Sequence, residues 1–305
     1  MPFSVKILGS NSATPAYGRN HTAQFIQIQK HTFLLDCGEG TQLQLAKYHC
    51  KAQKINHIFI SHLHGDHYLG LMGLIFTMHL LRREKDLNIY GPQGLDEIIT
   101  LQLKYSASAL NYKIRFHQTD STKTELLFAD DTIEISSFPL NHRIPCTGFL
   151  FKEKPKPIRL HKERLPADLT LLQIATLKKG GDILNENGEV IFKNSDLTLP
   201  PRKSRSYAYC SDTKYDETIL PYIKDVDLLY HEATFLEAKA IWAEKTFHST
   251  TKEAATIAKK ANAGLLAIGH YSARYKDVTP FLEEAKQHFD NTILAIEGES
   301  IEIED

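Results

Sequence analysis

Seven residues at 61–67, Ser-His-Leu-His-Gly-Asp-His, constrain the fold of this chain more than any other stretch. They place three imidazoles and one carboxylate directly after the apolar run at 56–60. The first two histidines are two positions apart and project to the same side of an extended backbone, while the glycine allows a turn toward a second ligand position. The loop therefore predicts a site for two metal ions at a strand end. A polar turn with incidental histidines is the minority alternative.

The composition limits where such a protein acts. The 305 residues are 42% apolar and have a formal net charge of -1, so any contact with nucleic acid depends on local basic patches. Four scattered cysteines without Cys-x-x-Cys spacing are typical of free thiols in a reducing compartment, and the start of the chain does not resemble a signal peptide. The apolar run at 69–81 is too short to cross a bilayer. We expect a cytoplasmic protein with no membrane partner.

Short apolar segments alternate with helical segments along the chain, which predicts an α/β layered fold. Before residue 150 the predicted strands are 3–9, 24–29, 32–36, 55–60, 88–90, 113–117, 125–128 and 132–138, and the helices end near 49, 82 and 109. After residue 205 the predicted strands are 207–210, 227–230, 265–268, 293–296 and 301–303, and the helices are 250–261 and 278–288. This alternation indicates two similar halves that form one sandwich.

The region between the halves, residues 151–205, is basic. Its first part, 152–164, has six Lys or Arg against two Glu, and further basic residues follow at 178–179 and 202–205. Two prolines stiffen its start. We interpret 151–205 as an inserted basic arm, with a solvated surface excursion that has no partner as the alternative.

Three more ligand candidates each follow an apolar strand: His142, Asp212 and His270. Singly each is weak, because a lone histidine there is often a surface residue and an aspartate often caps a turn. Strand ends converge at one edge of an α/β sheet, so with the 61–67 loop they supply five imidazoles and two carboxylates. That set is sufficient for two zinc ions bridged by Asp212. Imidazole-rich sites favour zinc, with manganese and iron as alternatives.

These features together resemble the metallo-β-lactamase superfamily, and flanking motifs narrow the resemblance to ribonuclease Z, the tRNA 3′-processing endonuclease. The motifs are Asn141-His-Arg-Ile-Pro145, Ser211-Asp-Thr213, His231-Glu-Ala-Thr-Phe235, Phe247-His-Ser-Thr250 and His270-Tyr-Ser-Ala-Arg-Tyr275. The resemblance extends from Gly9 to Tyr275. It implies one domain over 1–305, a four-layer αββα sandwich, with a tRNA-binding arm inserted at approximately 151–205.

The resemblance also implies a role for each site residue. One zinc would be held by His62, His64, His142 and Asp212, and the other by Asp66, His67, Asp212 and His270. Asp66 would also orient, or accept a proton from, the attacking hydroxide. Glu232 would hold His248 so that its imidazole protonates the departing 3′ oxygen, and Arg274 would lie by the scissile phosphate. Without the resemblance, Glu232 is equally well interpreted as a surface carboxylate at a strand end, and His248 as a residue that precedes a helix.

The chain departs from the family at two places. The Gly-Pro pair typical of the arm tip is absent at Leu169–Thr170, which affects the expected tip geometry. In the loop Pro15–Asn20, Tyr17 stands where the family has a lysine. The arm is expected to contact phosphates of tRNA, and the family implies a homodimer in which the arm of one subunit serves the site of the other.

Three functions follow as hypotheses. The first is a zinc-dependent endoribonuclease that removes the 3′ trailer of precursor tRNA and leaves a tRNA 3′-hydroxyl and a trailer 5′-phosphate. The second is a hydrolase with the same site that acts on small phosphodiesters. The third is an RNA-binding or scaffold protein with an inactive site, which the complete ligand set argues against.

Overall fold

The structure is a computed structural model that describes residues 2–304. The part before the arm consists of ten strands and four α-helices, most of them close to their predicted bounds. They are β1 Phe3–Gly9, β2 Asn11–Ser12, β3 Ala23–Ile28, β4 His31–Leu35, α1 Thr41–Lys47, β5 His57–Phe59, α2 Gly65–Tyr68, α3 Leu71–Leu80, β6 Leu87–Gly91, α4 Leu95–Tyr105, β7 Ile114–Gln118, β8 Glu125–Ala129, β9 Ile133–Pro139 and β10 Thr147–Glu153.

The rest of the chain adds ten strands and six α-helices. Those between β10 and β15 are β11 Arg159–Leu160, α5 Leu171–Lys178, β12 Ile183–Leu184, β13 Val190–Phe192, α6 Asn194–Leu197 and β14 Thr198–Leu199. Those that follow are β15 Ser206–Cys210, α7 Leu220–Ile223, β16 Leu228–Glu232, α8 Ala240–Thr246, α9 Thr251–Lys260, β17 Leu265–Gly269, β18 Tyr271–Ser272, α10 Thr279–Lys286, β19 Thr292–Leu294 and β20 Ser300–Glu302.

Two seven-stranded mixed sheets form the centre of the fold. Sheet 1 has the order β20-β1-β3-β4-β5-β6-β7 and sheet 2 the order β19-β17-β16-β15-β10-β9-β8. The chain passes from sheet 1 to sheet 2 at 119–124, before the arm, and β20 returns to pair with β1. The sandwich is confirmed, but its two sheets do not divide at the arm as the sequence suggested.

Apolar side chains form three buried clusters, each between two neighbouring layers of this sandwich. One buried cluster lies between the sheets and includes Phe33, Phe59, Phe149 and Tyr209. A second packs α1, α3 and α4 against sheet 1, and a third packs α7, α9 and α10 against sheet 2. The order helix, sheet, sheet, helix is the predicted four-layer αββα architecture.

One predicted helix is divided. The sequence indicated a single helix from 68 to 82, whereas α2 ends at Tyr68 and α3 begins at Leu71. Between them, a Cβ on Gly70 would lie 2.0 Å from the carbonyl oxygen of Gly38. This close backbone approach requires glycine and fixes the turn that carries the ligand loop.

The segment between β10 and β15 has a small core of its own. Leu177, Ile183 and Leu197 are buried together, apart from the three clusters of the sandwich. Residues 151–153, predicted to lie in the arm, belong to β10, so the segment between the sheet strands β10 and β15 covers 154–205. Where the Gly-Pro pair is absent, Thr170 and Gln173 form a reciprocal capping box that begins α5. Among residues 2–304, no helix has both the length and the hydropathy that a membrane crossing requires.

Candidate metal centre

The seven predicted ligands meet at one edge of the sandwich. Their loops follow β5, β9, β15 and β17, and the first turn of α2 supplies Asp66 and His67. Backbone bonds clamp α2 in place, because Cys37 N donates to His67 O at 2.7 Å and Gly70 N donates to Cys37 O at 2.9 Å. His270 has a φ of +63°, a conformation that is rare for a non-glycine residue and is typical of functional sites.

The first group of ligands consists of three imidazoles and one carboxylate oxygen. His64 Nδ1 lies 3.0 Å from His62 Nε2 and 3.1 Å from His142 Nε2. Asp212 Oδ2 lies 3.5 Å from His62 Nε2 and 3.8 Å from His142 Nε2. Four donor atoms therefore surround one point, as in a tetrahedral metal site.

The second group uses the other oxygen of the same aspartate. Asp212 Oδ1 lies 3.4 Å from His67 Nε2 and 3.2 Å from His270 Nε2. Asp66 Oδ2 lies 3.6 Å and 3.5 Å from the same two nitrogens. Because each oxygen of Asp212 faces a different group, this side chain has the geometry of a bridge.

Unpartnered buried atoms indicate that the two groups fit metal ions. Within residues 2–304, His67 Nε2, His270 Nε2 and Asp212 Oδ1 are buried and have no hydrogen-bond partner. Such atoms are uncommon because burial without a partner costs free energy. All three point into the second group, where a cation would satisfy them.

In four of the histidines, the ring nitrogen that faces away from the centre, Nδ1, is fixed by a hydrogen bond. His67 Nδ1 lies 2.8 Å from Asp36 Oδ2, and His142 Nδ1 lies 2.9 Å from the carbonyl oxygen of Phe247. The outer nitrogens of the other two are similarly paired, His62 with Ser61 Oγ at 3.0 Å and His270 with Thr234 Oγ1 at 3.0 Å. These contacts hold each ring with its second nitrogen toward the centre.

Charge and burial set the protonation of the ligands. Burial lowers the pKa of His62, and burial with the neighbouring His62 lowers the pKa of His64 to about 4. Burial likewise lowers the pKa of His142 to about 4. Burial alone would raise the pKa of Asp66, but His67 and His270 lower it well below its usual range. Burial would lower the pKa of His67, but Asp212 and Asp66 raise it well above its usual range. Neutral imidazoles and ionised carboxylates are the forms that bind metals, so a bound cation would displace a proton from His67.

Glu232 and His248 form a buried pair beside this centre. Glu232 is fully buried, and its Oε1 lies 2.8 Å from His248 Nδ1. Thr213 N donates to Oε1, while the amide and hydroxyl of Thr234 donate to Oε2. Burial would lower the pKa of His248, but Glu232 and Asp212 raise it to about 9. The carboxylate is thus a buried orienting group and not a surface residue.

Arg274 and His248 line one cleft, which we call the His248 cleft. It has a volume of about 480 Å³ and is also lined by Ser12, Ala13 and Thr234. Ala13 N donates to Asp66 Oδ2 at 2.8 Å, which joins the cleft to the second ligand group.

The early loop contributes a surface tyrosine beside this region. Tyr17 is 56% exposed at the position where the family has a lysine. Arg19, by contrast, is bonded to the protein, with Nε on Asn11 Oδ1 at 2.8 Å and Nη1 on Lys276 O at 3.1 Å. The conformation of this loop therefore depends on Arg19.

The sequence analysis missed Asp36. This fully buried carboxylate accepts bonds from Ser61 N, Ser61 Oγ and Tyr209 OH in addition to its contact with His67. The available signal was its place as the last residue of the predicted strand 32–36, close to the strand-end signal that identified Asp212.

The two sheets, their helical layers and the His/Asp centre at one edge define a protein of the metallo-β-lactamase fold. The metallo-β-lactamase fold protein YhfI from Bacillus subtilis shares this fold with a TM-score of 0.70, at 20% identity over 99% of this chain and 100% of that one. Human tRNase Z, short form, has a TM-score of 0.73 at 28% identity over 99% of this chain and 100% of its own.

Sequence relatives identify the family. A protein of Cytophaga hutchinsonii named Ribonuclease Z is 51% identical over all of this chain and 97% of its own length. The Ribonuclease Z of Bacteroides fragilis is 44% identical over 97% of both chains. A family model described as Anti-Pycsar protein Apyc1 matches residues 3–155. The chain belongs to the ribonuclease Z family, and its first half falls within the family described by that model.

Proposed function

We propose that this chain is a cytoplasmic, zinc-dependent endoribonuclease that removes the 3′ trailer of precursor tRNA and leaves a tRNA 3′-hydroxyl and a trailer 5′-phosphate. Membership of the ribonuclease Z family supports the reaction class. The observation that carries the mechanism is His248, held by Glu232 with its Nδ1 4.0 Å from Asp212 Oδ2, beside a centre with two groups of ligands.

The ligands divide between two ions. His62, His64, His142 and Asp212 would hold one, and Asp66, His67 and His270, joined by the other oxygen of Asp212, would hold the second. When bound, two zinc ions polarise a phosphoryl oxygen and lower the pKa of water near them.

The remaining steps belong to side chains of the chain itself. Asp66, whose Oδ2 accepts from the amide of Ala13, would orient the attacking water or accept its proton. Glu232 holds His248 by Nδ1, so that Nε2 is available to protonate the departing 3′ oxygen. Arg274 lines the same cleft and supplies a positive charge for the scissile phosphate.

The segment 154–205 would bind the tRNA away from the centre. Lys178 and Lys179 are exposed at the end of α5, where their charges can reach phosphates without reading bases. We also propose a homodimer. Leu43, Leu80 and Leu81 are exposed on the α1 and α3 side, where a second copy would remove apolar surface from water. Sedimentation measurements at micromolar concentration test this, and a monomer would contradict it.

The decisive experiment is cleavage of a precursor tRNA. We expect one metal-dependent cut near the discriminator nucleotide, abolished by chelation and by Asp212→Ala. Absence of that cut in the zinc-loaded wild type would refute the proposal. The charge-reversal pair Lys178→Glu and Lys179→Glu should weaken tRNA binding and reduce its salt dependence, with the pair Lys259→Glu and Lys286→Glu, at exposed lysines of α9 and α10, as the matched control.

Hydrolysis of small phosphodiesters is the second candidate. The His248 cleft, about 480 Å³, has the size of small-molecule sites. A chromogenic phosphodiester separates the two functions. If tRNA is the substrate, the double charge reversal lowers tRNA cleavage and leaves turnover of the small ester unchanged, whereas faster use of the small ester than of tRNA by the wild type favours the second candidate.

A further inference from the structure

A second cleft shares no lining residue with the His248 cleft. We call it the Gln118 cleft; its volume is about 710 Å³. Leu63, which lies between His62 and His64, forms one wall, and Ile144 and Pro145, just after His142, form another. The Gln118 cleft is therefore lined by residues adjacent in the chain to His62, His64 and His142, whereas the His248 cleft is lined by His248 itself and by Ala13, whose amide donates to Asp66.

The walls of the Gln118 cleft combine apolar surface with neutral hydrogen-bonding groups. Gln93 and Gln118 are exposed and make no side-chain hydrogen bond to any of residues 2–304. Thr119 is only 5% exposed, and its hydroxyl is buried without a partner in the described chain. The amides of Gln93 and Gln118 are therefore free to donate to and accept from a polar ligand.

The charges on the rim exclude a phosphate as that ligand. Asp120 and Glu125 line the cleft, and one lysine, Lys123, bridges them with Nζ–O distances of 3.4 Å and 3.2 Å. The rim is therefore net acidic. A flat, uncharged group with polar edges fits better, because it can pack its faces on Leu63, Ile144 and Pro145 while its edges reach the amides.

We infer that the Gln118 cleft binds the base of the first trailer nucleotide, an inference that rests on the proposed function. His248 protonates the departing 3′ oxygen, so the tRNA body lies along the His248 cleft. The trailer keeps the scissile phosphate, so it begins at the metal centre and extends away from the His248 cleft. Its first base, unpaired, is then the nearest neutral planar group to Leu63.

The first test compares two precursors that differ only at the first trailer position, one with a base and one abasic. Wild type should cleave the abasic precursor about tenfold less efficiently, the combined size of the hydrogen bonds that Gln93 and Gln118 would make to the base. The double variant Gln93→Ala, Gln118→Ala should cleave the abasic precursor like the wild type and lose most of the advantage for the base. Gln102→Ala, at an exposed glutamine of α4, is the matched control. Equal cleavage of both precursors by wild type, or an undiminished tenfold difference in the double variant, overturns the inference.

The second test locates the base directly. A precursor with a methylene group in place of the departing oxygen and 4-thiouridine at the first trailer position is crosslinked to the zinc-loaded enzyme. Adducts should map to residues 92–93, 118–125 or 144–145. Adducts at 12–14 or 272–274 would place the base in the His248 cleft and refute the inference. If no unmodified precursor is cleaved at all, the proposed function itself has failed. That outcome differs from the results that would overturn only the inference about the Gln118 cleft, since in those the unmodified precursor is still cleaved.

Discussion

Replacing Asp36 by asparagine should weaken metal binding although Asp36 is not among the proposed ligands. Its Oδ1 accepts from Ser61 N at 2.7 Å, and its Oδ2 accepts from Ser61 Oγ, Tyr209 OH and His67 Nδ1 at 2.9, 2.7 and 2.8 Å. Asparagine keeps the shape but turns one acceptor into a donor. With its NH₂ at the Oδ2 position, it donates to His67 Nδ1, and the imidazole proton then moves to Nε2, the atom that faces the metal.

The structure sets the size of the effects on metal affinity and on the free energy of folding. Loss of the partner that orients a metal-binding histidine typically costs about 10- to 100-fold in metal affinity. The two hydroxyl groups can rotate to accept from the new amide, so the loss of folding free energy should be moderate, about 1–3 kcal/mol for the charge-assisted bonds.

Competition with a chromophoric chelator measures zinc affinity, and urea unfolding of the metal-free protein measures stability. Tyr209→Phe removes one donor to the same carboxylate and leaves the bond to His67; it should cost about 1 kcal/mol of stability with little change in zinc affinity. Asp96→Asn, on the exposed first turn of α4, controls for the change of charge. If Asp36→Asn binds zinc with the same affinity as the wild type, the reasoning is refuted.

Three further outcomes follow from the structure. Glu232→Gln should lower kcat for precursor cleavage about 100-fold with KM little changed, since the imidazole loses its orienting charge; unchanged single-turnover rates would contradict this. Thr250→Ala removes the capping box of α9 and should lower the free energy of unfolding by about 1–2 kcal/mol, with Thr256→Ala in the same helix as control. Burial would raise the pKa of Glu153, but bonds from Arg205 lower it to about 2 from an unfolded value of 4.5. Its stabilisation is therefore full above pH 4.5 and lost as the pH falls toward 2, and Glu153→Gln should flatten that part of the urea-midpoint profile.

The sequence predicted the residues that the structure brings together in the His/Asp centre, because their signal is local. Each lies in a dense motif or directly after an apolar strand, so the strand-end rule found His142, Asp212 and His270 without knowledge of strand order. The αββα layers also followed from the alternation of strands and helices, together with the family resemblance.

What the sequence did not reveal depends on contacts between distant residues. Asp36 meets Ser61 only because β4 and β5 are neighbours in sheet 1, which no local pattern states. The passage between sheets at 119–124 and the pairing of β20 with β1 likewise depend on partners. The break between α2 and α3 arises from the contact of Gly70 with Gly38, two glycines that look ordinary in the sequence.

The proposed metal ligands come from both sheets, so metal binding would affect the lifetime of the folded protein. His62, His64 and His67 follow β5 of sheet 1, while His142, Asp212 and His270 follow strands of sheet 2. A metal held by residues of both sheets would stabilise their packing by about 2.7 kcal/mol when free metal exceeds its dissociation constant 100-fold. Metal scarcity would then shorten the lifetime of the protein against proteases as well as its activity, so its abundance would follow the metal supply.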